Sequence, residues 1–207
     1  MLSRKTQLSG YTLSASSTPA NKRQAWQLQL AAYVLRRGGI IAHPTEAVWG
    51  LACDPFNATA VRGLLALKNR AESKGLILAS GQAEHFEPLL APLDSELRER
   101  FYARAPHPVT WLLPDTEKQI PAWIKGAHHS VAVRLSEHPI ISALSNKLGS
   151  AIISTSANPA GLPPAKSIFR VHQYFANSLA YILPASLGQF SRPSIIRDLQ
   201  TGNIIRV

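Results

Sequence analysis

One cysteine in 207 residues, Cys53, excludes an internal disulfide and suits a reducing compartment. No apolar run comes near the roughly 20 residues that a membrane-spanning helix needs. The opening stretch "MLSRKTQLSGYTLSASSTPANKRQ" lacks the central apolar block of a secretory signal. Being basic, Ser/Thr-rich and free of acid, it is compatible with a transit peptide, but residues 1–17 are read as a flexible tail before a single domain over 18–207. The expected location is the cytoplasm, with no membrane contact. Catalytic signatures are also missing. There is no Gly-Lys-Ser/Thr phosphate loop, no GxGxxG, no GxSxG elbow, no HExxH and no CxxC. The seven histidines, including the pair His128–His129, show no metal-ligand spacing, and no metal-binding residue is assigned. Cys53 reads as a small core residue rather than a nucleophile.

Acid is scarce at both ends. The formal charge is +10, yet residues 46–159 carry eleven groups of each sign and sum to zero. Before Glu46 stand Arg4, Lys5, Lys22, Arg23, Arg36 and Arg37 with no acid, and from residue 160 onward five cations face only Asp198. That surplus favours a polyanionic partner such as a nucleotide or nucleic acid. A solubilising surface explains the charge equally well.

The chain itself alternates. Residues 18–37 predict a helix, with Thr18 as cap, Pro19 in the first turn and an apolar stripe of Trp26, Leu30, Val34 and Leu35. Helices are also expected from Asn57 to about Arg70, from Asp94 to about Arg104, over "EHPIISALSNKLG" and over "SIFRVHQYFA". "GIIAH", "LACD", "GLILAS", "PVTWLLP", "SVAVRL", "AII", "AYILP", "SIIRD" and "NIIRV" read as extended. About eight strands with about five helices define an α/β fold. Several strands are unbroken apolar runs, which implies a sheet covered on both faces. The final segments lack intervening helices, so the sheet is expected to be mixed.

Three polar stretches stand out. "HPTEAVWGL" (43–51) leaves a buried strand, where α/β proteins commonly bind ligands, although a turn with a capping Thr explains it too. "LKNRAESKG" (67–75) sets Lys68, Arg70 and Lys74 at a helix end. Cations there suit the helix dipole, and they also suit phosphates, with Arg70 bidentate and Lys68 a mobile point charge. "AIISTSANPAG" (151–161) turns from apolar to Ser154, Thr155, Ser156 and Asn158. These groups can cap a turn. They can equally form a neutral ledge that orients an oxygen-rich ligand without adding charge.

In this order, "HPTEAVWGL", "LKNR", "SVAVR" and "STSANPAG" resemble the YrdC-type family of threonylcarbamoyl-AMP synthases, over about residues 39–207 and including "PSIIRD" and the closing "IIRV". The likeness is to the short bacterial form. The resemblance implies a twisted mixed α/β sheet with helices on both sides and a concave basic cavity. It implies an ATP-using synthesis of L-threonylcarbamoyl-adenylate from L-threonine, bicarbonate and ATP, with pyrophosphate released. A partner complex then transfers the threonylcarbamoyl group to adenosine 37 of tRNAs reading ANN codons. A magnesium ion held mainly by the phosphates is implied, and direct contact with RNA or tRNA remains open. Carried over, Lys68 and Arg70 are the catalytic pair on the triphosphate, joined by Lys74. Ser156 and Asn158, with Ser130 and Arg206, lie on the nucleotide side. Thr45, Arg134, Ser154 and Ser194 face threonine, with Arg134 on its carboxylate.

Two positions depart from the family pattern. Ala71 stands where Pro usually follows Lys-x-Arg, which is expected to loosen that loop. His107 replaces a usual Gly in "APHPVT", which strains the backbone if the turn needs positive φ. Two other readings stay open: a non-catalytic RNA-binding protein, and a carbamoyl-transfer enzyme that uses carbamoyl phosphate.

Overall fold

The computed structural model describes residues 22–206, so the expected tail and the capping by Thr18 and Pro19 lie outside the described residues. The strands are β1 (Ile41–Pro44), β2 (Trp49–Cys53), β3 (Ile77–Ser80), β4 (Val109–Pro114), β5 (Ser130–Leu135), β6 (Ile152–Ser156), β7 (Tyr181–Ile182), β8 (Ile195–Asp198) and β9 (Ile204–Arg206). They form one sheet in the order β7-β1-β2-β6-β3-β5-β4-β8-β9. The pairs β1–β7, β3–β5 and β4–β8 are parallel and the remaining pairs antiparallel, giving the mixed sheet expected.

Helices α1 (Lys22–Arg36), α2 (Ala58–Leu67), α3 (Glu87–Leu90), α4 (Ser95–Tyr102), α5 (Ala122–Lys125), α6 (Pro139–Leu148) and α7 (Ile168–Phe175) cover both faces. Strand alternation explains why the strands read as continuous apolar runs. Ile41, Ala52, Ala79 and Ile152 pack under α1 and α6, whereas Ala42, Leu51, Leu78 and Ile153 join the core beneath α2 to α5 and α7. Cys53 is buried in that second core, where desolvation pushes its thiol pKa up. No helix among the described residues is long and apolar enough to cross a membrane.

Local signals account for several boundaries. Asn57 Oδ1 accepts from the Ala60 N–H at 3.0 Å, and Asp94 Oδ1 from the Leu97 N–H at 2.9 Å, as N-cap residues do. Helix α2 stops at Leu67 rather than near Arg70, and Asn69 takes a left-handed φ of 48°. The stripe expected on α1 is shifted. Leu28, Ala31, Ala32 and Leu35 are buried at helical spacing, while Trp26 is 63% exposed. Small alanines let α1 lie close to α6 in a way that Trp26 does not permit. The four-residue helices α3 and α5 escaped notice because one turn is too short to display a period.

Helices α1 and α6 cover only part of their face of the sheet. Along that same face Gly50, Ile77, Arg134, Ser154 and Ser156 line an open hollow. This bare face positions the candidate site.

Both departures from the family pattern resolve into backbone geometry. Among the described residues other than glycine, positive φ is confined to Asn69, Lys118 and Ala176, so His107 carries no strain of that kind. Ala71 has φ −61° and ψ 135°, the geometry that a proline ring imposes. Ala71→Pro is therefore expected to stabilise the fold by about 0.4–1 kcal/mol, raising Tm by about 1–4 °C in a thermal melt. A fall in Tm would show that the loop needs the freedom that alanine gives it.

Candidate active site

The site is built around a junction between α2 and the mouth of β6. Lys68, the C-cap of α2, is buried, and its ammonium donates to the carbonyl oxygens of Ser156 and, at 2.8 Å, Asn158. In return the Ala160 N–H donates to the Lys68 carbonyl at 2.7 Å. Burial first, and the charge of Arg70 second, lower the Lys68 pKa to about 8. The lysine expected to be a mobile phosphate ligand is thus a tie between two segments 88 residues apart in sequence.

Arg70 folds back over its own loop, with Nη2 donating to the carbonyls of Gly75 (2.9 Å) and Lys74 (3.2 Å). Its Nε is buried without a hydrogen-bond partner. Burial and then Arg206 lower its pKa. Both arginines line one hollow of about 1040 Å³, just above the roughly 300–1,000 Å³ usual for small-molecule sites. Thr45, Arg134, Ser154, Ser156 and Ser194 line it as well. Four of the residues expected at the site stand apart from this lining. Lys68 sits behind the wall. Asn158 uses Nδ2 to close its own turn onto the carbonyls of Pro159 (3.0 Å) and Leu162 (2.7 Å), leaving Oδ1 buried and unpaired. Lys74 ends an exposed helical turn, Glu72–Lys74, and Ser130 begins β5 four residues before Arg134.

Arg134, also on the lining, is held by a carboxylate. Its Nη2 lies 2.5 Å from Glu46 Oε2, and the Ser136 hydroxyl donates to Glu46 Oε1 at 2.6 Å. Arg134 Nε is buried and unpaired, like that of Arg70. Burial lowers the Arg134 pKa, and the Glu46 charge opposes that shift. The Thr45 hydroxyl donates to the Val48 carbonyl at 2.8 Å, and Ser194 Oγ lies 2.7 Å from Thr110 Oγ1.

Residues 189–194 form a partial roof on the hollow. The Gly188 N–H donates to Thr45 O (2.9 Å) and the Phe190 N–H to Glu46 O (3.0 Å). A Cβ at Gly188 would stand 2.7 Å from the Glu46 carbonyl oxygen, so only glycine permits this approach. Phe190, Arg192 and His107 join the lining, and the His107 and Phe190 rings are 6.3 Å apart. Reading the sequence missed Arg192, the roof and the bracing of Arg134 by Glu46. The signals available were the Gly in "SLGQFSRPS" and a carboxylate at a strand mouth, neither of which names its partner.

The electrostatics are one-sided. Arg70, Arg134, Arg192 and Arg206 line the hollow, and among the described residues that line it there is no carboxylate. A buried unpaired N–H costs about 1–3 kcal/mol, which an anion accepting it would return. The residues present thus fit a magnesium ion only as part of an incoming phosphate group, whose oxygens would hold it.

Fold and site together define an α/β protein with a roofed, cationic cavity for anionic substrates. A family model named for Sua5, YciO and YrdC, and described as "Telomere recombination", matches residues 33–207, and the chain belongs to that family. It is 47% identical over 182 residues to the threonylcarbamoyl-AMP synthase of Hahella chejuensis, covering 88% of this chain and 98% of that one. To the threonylcarbamoyl-AMP synthase of Pseudomonas aeruginosa it is 48% identical, covering 88% and 97%. Among solved structures it is similar to P. abyssi Sua5 complexed with L-threonine, with TM-score 0.75, 28% identity, and coverage of 84% of this chain and 51% of that one. E. coli YciO shares the fold, with TM-score 0.76, 20% identity and 90% coverage of each chain.

The two cations of Lys-x-Arg are expected to separate by mutation. Lys68→Ala removes the ammonium donor from the Asn158 carbonyl and one of two donors from the Ser156 carbonyl, which keeps the Asn158 N–H, and is expected to cost about 1–3 kcal/mol of stability. Arg70→Ala is expected to change stability by less than about 1 kcal/mol while weakening ATP binding at least tenfold, because Arg70 lines the hollow and Lys68 does not. Urea unfolding and calorimetric titration with ATP measure both. Equal destabilisation by the two substitutions would contradict these different roles.

Proposed function

We propose that this chain is an L-threonylcarbamoyl-adenylate synthase, acting in the cytoplasm to supply the threonylcarbamoyl group for adenosine 37 of tRNA. One observation carries the reading of the site: two half-buried arginines, Arg70 and Arg134, line one hollow, and each keeps a buried Nε without a hydrogen-bond partner. That arrangement suits a substrate pair with anionic groups at both ends, and ATP with threonine is such a pair. Full-length similarity to threonylcarbamoyl-AMP synthases supports the same chemistry.

The threonine amine attacks the carbon of bicarbonate, and with loss of water an N-carboxylate forms. A carboxylate oxygen then attacks the α-phosphorus of ATP as the bond to the β-phosphate breaks, and pyrophosphate leaves with that electron pair. The nucleophile is already anionic, so the second step needs no strong base. It needs anions held together. Like charges about 4 Å apart repel by about 4 kcal/mol at an effective dielectric near 20, and cationic walls offset that repulsion.

In this reading Arg70, with Arg206 and Arg192, takes the triphosphate, and Lys74 joins them at the mouth. Lys68 acts by fixing Ser156 and Asn158 relative to Arg70. Ser156 and Asn158 belong to the nucleotide side, Asn158 through the turn it closes beside Ser156, with Ser130 more remote. Arg134 holds the threonine carboxylate, braced by Glu46, and Thr45, Ser154 and Ser194 complete that corner. Magnesium, when it enters with ATP, supplies charge neutralisation on the phosphates. A threonylcarbamoyl-transferase complex consumes the product. No observation here favours carbamoyl phosphate as the substrate.

Incubation with ATP, bicarbonate and L-threonine, followed by mass spectrometry, is expected to reveal threonylcarbamoyl-adenylate and pyrophosphate only when all three substrates are present. Pyrophosphate release without threonine would overturn the proposal. Arg134→Gln is expected to raise the threonine KM about 10- to 100-fold, the loss of one charged hydrogen-bonded contact of about 1.5–3 kcal/mol. An unchanged KM would remove Arg134 from the carboxylate.

A further inference from the structure

His43 is completely buried at the end of β1, yet its ring belongs to the face that carries the hollow. The register explains how. His43 pairs with Gly50, Gly50 pairs with Ser156, and Ala52 pairs with Ser154, so all these residues share one face. Gly50 has no side chain, and the space above it is occupied by its neighbours. A Cβ there would stand 3.1 Å from His43 Nε2 and 3.1 Å from Thr45 Cγ2. The imidazole therefore reaches across Gly50 to Ser154, whose Oγ lies 3.4 Å from His43 Nε2.

The other ring nitrogen sets the direction of this contact. His43 Nδ1 lies 3.0 Å from the Pro44 carbonyl oxygen. A carbonyl only accepts, so Nδ1 carries the proton. Desolvation by burial lowers the His43 pKa to about 4, so near neutral pH the ring is uncharged and Nε2 is a bare acceptor. Ser154 must then donate its hydroxyl proton to Nε2. Thr45, beside it, has its proton committed to the Val48 carbonyl. Both hydroxyls are left with lone pairs to offer.

We propose that His43 is a positioning residue that fixes Ser154 as a hydrogen-bond acceptor, so that this wall of the cavity reads the side-chain hydroxyl of the amino-acid substrate. The inference rests on the assignment of this corner to threonine. Arg134 supplies donors for the carboxylate and the amine is the group that reacts, which leaves the hydroxyl as the donor for a fixed acceptor. Selection for threonine over an amino acid without a hydroxyl follows, because binding the latter strands a buried acceptor.

The test compares kcat/KM for L-threonine and for L-2-aminobutyrate, which lacks the hydroxyl. Wild-type protein is expected to prefer threonine at least 100-fold. His43→Phe removes the acceptor but keeps a ring, and is expected to reduce that preference to below about tenfold through a loss on threonine alone. His43→Gln retains an acceptor oxygen and is expected to keep most of the preference. Adding His43→Phe to Ser154→Ala is expected to change nothing further. Equal losses on both amino acids, additive effects in the double variant, or no wild-type preference would overturn the inference. Should the His43 variants not fold, nitrogen-15 NMR of the wild-type imidazole still decides: Nδ1–H with a bare Nε2 supports it, and the opposite tautomer overturns it. Arg134→Gln separates the two levels of the argument. If it raises the requirement for both amino acids while His43→Phe leaves the preference intact, the role of His43 falls alone. If neither Arg134→Gln nor Ser154→Ala alters the amino-acid requirement, the threonine corner falls with it.

Discussion

The Lys68 ammonium, seated on the carbonyls of Ser156 and Asn158, is the contact on which the rest of the cavity depends. It fastens the end of α2 to the mouth of β6 and so fixes where Arg70 meets the neutral ledge. Burying a cation is costly, and here the cost is met by backbone acceptors rather than by a carboxylate. That choice matters for function. An acid placed beside Lys68 would neutralise the wall that an anionic ligand must approach, whereas carbonyl oxygens hold the ammonium and leave its charge in place. The depressed Lys68 pKa reflects the cost of burying the ammonium first and the neighbouring Arg70 charge second.

The cavity then divides its labour by polarity. One wall is cationic, built from Arg70 and Arg206. Another holds Arg134 against Glu46, so one guanidinium is partly neutralised and rigidly aimed. Between them lie hydroxyls whose protons are committed to the protein: Thr45 to Val48 and Ser154 to His43. Such groups add no charge but impose direction. Preorganised donors and acceptors of this kind align reactants without reorganising when the charge moves, which is where much of a catalytic advantage arises. The partial roof of residues 189–194 leaves the hollow open to ligand and requires Gly188 to approach the Glu46 backbone.

Much of the fold was legible because its signals are local. The apolar runs at Ile41, Leu51, Leu78 and Ile152–Ile153 announced buried strands, and Asn57 and Asp94 announced helix starts through their caps. The stripe on α1 was misplaced because Trp26 outweighs Ala31 and Ala32 in any count of hydrophobicity, although the alanines make the close helix contact. At the site, Thr45, Arg70, Arg134, Ser154, Ser156, Ser194 and Arg206 were named from motif order, and the chain brings them to one hollow. What stayed hidden is long-range pairing. Glu46 and Arg134 are 88 residues apart, and His43 and Ser154 are 111 apart; no spacing rule links them, only the strand order does. For the same reason Lys68 read as a free cation, since the carbonyls that hold it carry no sequence signature.

A crystal structure with a non-hydrolysable ATP analogue and L-threonine tests the central claim most directly. The account expects the triphosphate beside Arg70 and Arg206, the threonine carboxylate on Arg134, and Lys68 still on the Ser156 and Asn158 carbonyls. A nucleotide bound on the far face of the sheet, or a threonine carboxylate placed away from Arg134, would contradict it.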